Sequence, residues 1–309
     1  MFATRSCKPA ATQNRPNSYP AVYCKSSAST VGAYKDGADS TEDGLVLRMS
    51  ASLHQRLVQP PESSKSMLPL THALLQARAS NRPVAGAVTL APADLDGAIA
   101  IQAEAFKARG EDVAGWKVAV RPDLGPVAAP IAGSRVIRSG GQLAAPERGL
   151  LGIEIELAVR LGAPIRRPID RAGLLAAADA VLVGVEICAT RFTDVRSTPF
   201  LALLADDMSN YGYVMGEASS LEKPAAFELP RCQVVVNGSE IFSGPLSHPD
   251  GDPLTPALTW LGTSDGWATS LDAGQFITTG ALCGLLPIAG PCQIEVLAER
   301  FVPIRFWLT

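Results

Sequence analysis

At 309 residues, with 47% hydrophobic and 18% charged residues, the chain has a globular composition and enough apolar material for one large core or two small ones. Disorder throughout is excluded. A formal net charge of −3 and scattered Lys and Arg residues offer no stripe for a polyanion, so nucleic acid is not an expected partner.

Residues 1–66 are rich in Ser, Pro, Ala, Asn and Lys and hold no sustained period of 2 or 3.6 residues. They offer too little apolar surface to offset the entropy of ordering, so a disordered N-terminal extension is predicted. Two origins are open. Acidic residues are absent before Asp36 while Arg5, Lys8, Arg15 and Lys25 sit among Ser and Thr, as in a transit segment. Alternatively, and preferably, translation starts at Met49 or Met67 and the upstream residues are not native. No apolar stretch approaches the ~20 residues needed to span a bilayer, and no apolar signal core opens the chain. A cytoplasmic protein without a membrane partner is expected.

From Met67 the texture changes, and residues 67–309 are expected to form one catalytic domain. Leu70, Leu74, Leu75 and Ala77 fall at helical spacing, Asn81-Arg82-Pro83 breaks the pattern, and Asp94 to Arg109 reads as a helix capped by Asp94. After Gly115 the pattern is of short strands: Trp116 to Val120, Gly152 to Arg160, Val181 to Ala189, Tyr211 to Met215, Cys232 to Val236, Gln275 to Thr278 and Gln293 to Leu297. Ile169 to Ala180 reads as a helix, and a further helix follows Asp252-Pro253 through Ala257 to Leu261. Strands outnumber helices and do not alternate with them, which argues against a doubly wound sheet. The predicted class is α+β, with mixed sheets rolled into a sandwich or open barrel and flanking helices. No internal repeat is visible.

The chemistry concentrates on four residues. Alternation in Gly152-Ile153-Glu154-Ile155-Glu156-Leu157 projects both carboxylates to one face of a strand, where a divalent cation would relieve their repulsion. Alone, the same alternation also describes a strand with one wet face. Glu186 interrupts Val181-Leu182-Val183-Gly184-Val185-Glu186-Ile187-Cys188-Ala189, which is apolar enough for burial on both faces, so its charge needs a metal, a proton or a partner such as Arg191 or Arg160. Lys117 sits in Gly115-Trp116-Lys117-Val118-Ala119-Val120, either as a buried proton carrier or as a lysine snorkelling from a strand end.

Asp206 and Asp207 precede Met208-Ser209-Asn210-Tyr211-Gly212, and two uses are open: support of a site, or capping of a turn. Thr278-Thr279-Gly280-Ala281 suits either close approach of a ligand to the backbone or a tight turn. Six cysteines without a CxxC pair signal neither a zinc ribbon nor a dithiol centre. Cys188 and Cys283 lie in apolar runs and read as small buried hydrophobes. Three histidines, one of them in the extension, make a His-rich zinc site hard to build and favour an all-carboxylate Mg2+ or Mn2+ site. His248 lies in a polar loop without a nucleophile elbow, and no glycine fingerprint for a nucleotide is present.

The motifs GWKVAV, GIEIE, VGVEI followed by Thr190-Arg191-Phe192, ADDMSNYGYVMG, VVVNG and LDAGQFITTGAL stand in this order from about Met67 to the C-terminus. Together they resemble the fumarylacetoacetate hydrolase superfamily, in its branch of 2-keto-4-pentenoate hydratases and 4-oxalocrotonate decarboxylases. The resemblance implies a mixed β-roll, Mg2+ (or Mn2+) held at Glu154, Glu156 and Glu186, and a catalytic lysine at Lys117. Gln102, Asp206 and Thr279 take substrate-binding positions under it. The loop that follows the lysine in the family is shortened here, so its acidic partner falls on Asp123, and Asp207 replaces an Asn. The implied activity is hydration of a small unsaturated 2-keto acid of the 2-hydroxypenta-2,4-dienoate type, in breakdown of aromatic compounds. Decarboxylation, C–C hydrolysis and a catalytically silent partner subunit are the alternatives. A homo-oligomer able to associate with a related decarboxylase is also implied.

Overall fold

The computed structural model describes residues 67–220 and 229–309. The expected extension over 1–66, with Cys7, Cys24 and His54, lies outside the described residues.

Helix α1 (Pro69–Ser80) buries Leu70, Leu74 and Ala77 and stops at left-handed Asn81. After the short α2 (Ala87–Leu90), α3 (Leu95–Arg109) starts where the Asp94 carboxylate accepts the Gly97 N–H, the predicted cap, and ends at Gly110 with φ 65°. The strands then follow: β1 (Val113–Arg121), β2 (Gly125–Ala132), β3 (Val136–Arg138), β4 (Gln142–Leu143), β5 (Leu150–Leu161) and β6 (Ile165–Arg166). Helix α4 (Arg171–Ala177) leads into β7 (Ala178–Ala189), and α5 (Phe200–Ala205) into β8 (Asn210–Met215) and β9 (Ser219–Ser220). The remainder is β10 (Arg231–Val236), β11 (Ser239–Pro245), α6 (Thr255–Leu261), β12 (Ser270–Leu271), β13 (Phe276–Thr278), β14 (Cys292–Ala298) and β15 (Ile304–Leu308).

An eight-stranded mixed sheet runs β2-β1-β13-β5-β7-β8-β3, with β9 on β7; a five-stranded sheet runs β11-β10-β14-β15-β4, and β12 pairs β6. The expected α+β class with rolled mixed sheets is what forms. Strands β5 and β7 are its spine, and alternation sorts their side chains between two interiors. Ile153, Ile155, Leu157, Val159, Val181, Val183, Val185 and Ile187 join Val234, Ile294, Val296 and Phe306 of the second sheet in the main core. The opposite faces line the inside of the curled larger sheet, where Ala158 and Leu182 meet Ile131, Tyr213 and Phe276. Burial of β7 on both faces explains its unbroken apolar sequence.

Some elements differ from expectation. Helix α4 is shorter than Ile169 to Ala180, because β7 begins at Ala178 to complete its ladder with β5. The shortened stretch after Lys117 is a hairpin, in which β1 pairs β2 from Val113↔Ala132 to Arg121↔Gly125. Pro126 and Pro130 mask β2 in the sequence; they are tolerated because β2 is an edge strand. Helix α5 and strands β11 and β15 were also not anticipated.

Candidate metal centre

Register places Glu154 of β5 directly opposite Glu186 of β7, with Glu156 opposite Gly184. Like charges facing each other across a ladder destabilise it, so the pair needs a compensating cation. Lys117 supplies one. Trp116 of β1 pairs Ile277 of β13 and faces the main core, so Lys117, next along the strand, projects from the opposite face. The Lys117 ammonium lies 2.9 Å from the Glu186 carboxylate and 3.4 Å from Glu154 Oε2, and donates to the Met208 carbonyl at 3.4 Å. Burial alone would lower its pKa, but the charges of Glu186 and Glu154 outweigh that and hold the ammonium well above its ordinary value. The lysine is therefore mid-strand and mostly covered, with 13% of its side chain exposed, rather than snorkelling from a strand end. It does not shed its proton readily while the carboxylates are its only company.

Glu186 is fully buried, and Asn210 Nδ2 donates to its Oε1 at 3.0 Å. Burial raises its carboxyl pKa, opposed by Lys117. Its partner is thus neither Arg191 nor Arg160: Arg191 is bound to Asp206, and Arg160 to Asp179. Glu156 is also fully buried, with no hydrogen-bond partner for either oxygen, and burial followed by the charge of Glu186 pushes its carboxyl well above the ordinary range. The Tyr213 hydroxyl and the Thr278 hydroxyl, both buried on this face, have no hydrogen-bond partner either. Orphaned buried oxygen atoms of this kind are what a hard cation satisfies, so the residues present fit one. Cys188, two residues beyond Glu186, also borders the cluster, and its sulfur lies within 4.8 Å of the Glu154 and Glu186 oxygen donors.

The loop carrying Asn210 is strained. Asp207, Met208 and Ser209 all take positive φ, between 50° and 63°, which for non-glycine residues costs of order 1 kcal/mol or more each. The strain aims the Met208 carbonyl at Lys117 and Asn210 at Glu186. It is held by ion pairs: Asp206 takes Arg191 and Arg78, and Asp207 takes Arg78 and Arg109.

Four sequence-selected residues lie outside the cluster. Asp123 sits in the β1–β2 turn, 60% exposed by side chain and paired with Arg121 at 3.0 Å; a hairpin tip cannot fold back onto its own strand. Asp206 is fully buried but engaged with Arg191 and Arg78, so its role here is to anchor the strained loop. Thr279 gives its N–H and its hydroxyl to the Leu157 carbonyl, and its own carbonyl meets His248 Nε2 at 2.7 Å. Gln102 donates to the Leu204 and Ala128 carbonyls and accepts from Trp267 Nε1. It lines a cavity with Trp116, which projects from the opposite face of β1 to Lys117. Asn210, Tyr213 and Cys188 are the cluster members that the sequence reading missed. Only the turn-rich ADDMSNYGY segment signalled any of them.

The fold of this rolled mixed sheet has counterparts among solved structures. Two solved structures share it: 4-oxalocrotonate decarboxylase from Pseudomonas putida G7 complexed with magnesium and adipate, at a TM-score of 0.66, and the same enzyme complexed with calcium and acetate, at 0.67. Each is 21% identical to this chain and covers 78% of it and 96% of its own length. No protein-family model matches the sequence, and no curated protein does. Among the described residues, no helix is long and apolar enough to cross a membrane.

Proposed function

We propose that the chain is a metal-dependent lyase acting on a small unsaturated 2-keto acid, and that the reaction is hydration of a 2-hydroxypenta-2,4-dienoate-like substrate. The observation behind this reading is the Glu154–Glu186 pair, set face to face beside buried, unpartnered Glu156 with Lys117 as the local cation. Glu154, Glu156 and Glu186 would hold Mg2+ or Mn2+, and an ion there supplies Lewis-acid stabilisation of negative charge developing at the 2-keto oxygen.

The chain's own residues do the rest. Asn210 fixes the Glu186 carboxylate, and the Met208 carbonyl together with the carboxylates fixes the Lys117 ammonium. That ammonium is poised to deliver or recover a proton at the substrate carbon chain. The apolar side chains of the curl exclude bulk water and strengthen each of these interactions. Decarboxylation is the second reading, favoured by the two solved 4-oxalocrotonate decarboxylases. Hydration consumes the dienol without gas; decarboxylation of a 4-oxalocrotonate-like acid releases CO2.

Full-length protein assayed with 2-hydroxypenta-2,4-dienoate is expected to deplete the dienol chromophore, to stop with EDTA and to recover with Mg2+ or Mn2+. The Glu186→Ala variant is expected to lose bound metal and at least about 100-fold in turnover, the scale of removing a preorganised charge stabiliser. Unchanged metal content and turnover in that variant would sink the assignment.

A further inference from the structure

We infer that the Cys188 thiol joins the carboxylates as a donor to the cation, making a mixed oxygen and sulfur centre that accepts a thiophilic divalent ion such as Zn2+ or Co2+ in addition to Mg2+ or Mn2+. This rests on reading the cluster as a metal site. Cys188 and Glu186 are two apart on β7, so both side chains project from one face. Cys188 pairs with Gly152, the position on β5 immediately beside the Glu154–Glu186 pair along that face. Gly152 has no side chain to cover the sulfur, and a Cβ there would sit 2.3 Å from the Leu286 carbonyl, so no larger residue fits.

Among the described residues, the trio of mutually close donors is Glu154, Glu186 and Cys188, all within 4.8 Å of one another, and Glu156 is not part of it. With Zn–S near 2.3 Å and Zn–O near 2.1 Å, donors on one ion lie within roughly 4.4 Å, so a small inward rotation of the side chains closes the trio. A sulfur at that position alters the donor chemistry. Carboxylates alone suit Mg2+, whereas thiolate selects Zn2+ and its neighbours, and the coordinating thiol releases its proton to solvent. Cys188 is only 3% exposed, so the sulfur is available to a small ion in the cluster rather than to bulky reagents.

The full chain, stripped of metal by chelation, is titrated with Co2+ and followed by near-ultraviolet and visible absorption. The wild type is expected to develop a sulfur-to-cobalt charge-transfer band that saturates at one ion per chain. Cys188→Ala is expected to bind Co2+ without the band and about tenfold or more weakly, the scale of losing a group that supports a metal site, with Mg2+ affinity unchanged. Cys283→Ala should retain the band. Co2+ binding by the wild type without a charge-transfer band overturns the sulfur assignment and leaves the metal reading in place. A band that survives Cys188→Ala but vanishes in Cys283→Ala overturns it equally. Failure of the wild type to take up Co2+, Zn2+ or Mg2+ overturns both.

Discussion

Glu156 has the least company of the buried charges, since neither of its oxygens is hydrogen-bonded. Its folded-state pKa lies above its unfolded value, so the folded chain binds the extra proton between the two. Stability therefore falls as pH rises above the ordinary carboxylate range of about 4.3, until the folded group also ionises. Urea unfolding in EDTA across pH 4 to 8 should show the wild type losing stability relative to Glu156→Gln. By neutral pH the variant is expected to be the more stable by about 1 to 3 kcal/mol, the cost of an unsatisfied buried polar group. An opposite slope would mean that Glu156 has a partner in solution. The alternation of Glu154 and Glu156, and the oddity of Glu186 and Lys117, were legible residue by residue. Cys188 was not, because a cysteine in an apolar run looks like any small hydrophobe until the strand beside it is known.

At the scale of elements, β7 and β8 are locked by a glycine. A Cβ at Gly184 would sit 2.1 Å from the Tyr213 hydroxyl, so Gly184→Ala must displace the tyrosine from its fully buried position. A loss of roughly 1 to 3 kcal/mol is expected from overpacking, read in the denaturation midpoint. The loop between α5 and β8 depends in turn on Asp206, which ties α1 and the segment just after β7 to it through Arg78 and Arg191. Asp206→Asn leaves buried guanidinium charge uncompensated and is expected to cost about 3 to 5 kcal/mol. If its thermal transition matched the wild type, the ion network would not be what holds the strained loop. Strand β2 shows why elements go unseen: two prolines contradict a strand locally, and only its edge position makes them harmless.

For the whole molecule, the sheet that holds the site closes over long sequence separations. Strand β1 is joined to β13, and β5 lies between β13 and β7. Native-state hydrogen exchange should place the slowest amides in Ile153–Val159 and Val181–Ile187, which are buried on both faces, and much faster ones in α1, which packs against a smaller cluster. Comparable protection in α1 would contradict that hierarchy. The sequence by itself determined the α+β class, the two-sided burial of β7, the capped helix α3 and the residues with misplaced charge, since each follows from local period and composition. Tertiary structure alone decided which charges meet. Strand register set Glu154 against Glu186, the curl of the sheet brought Lys117 of β1 to them, and the hairpin carried Asp123 away, because pairing between distant strands depends on geometry that no local pattern encodes.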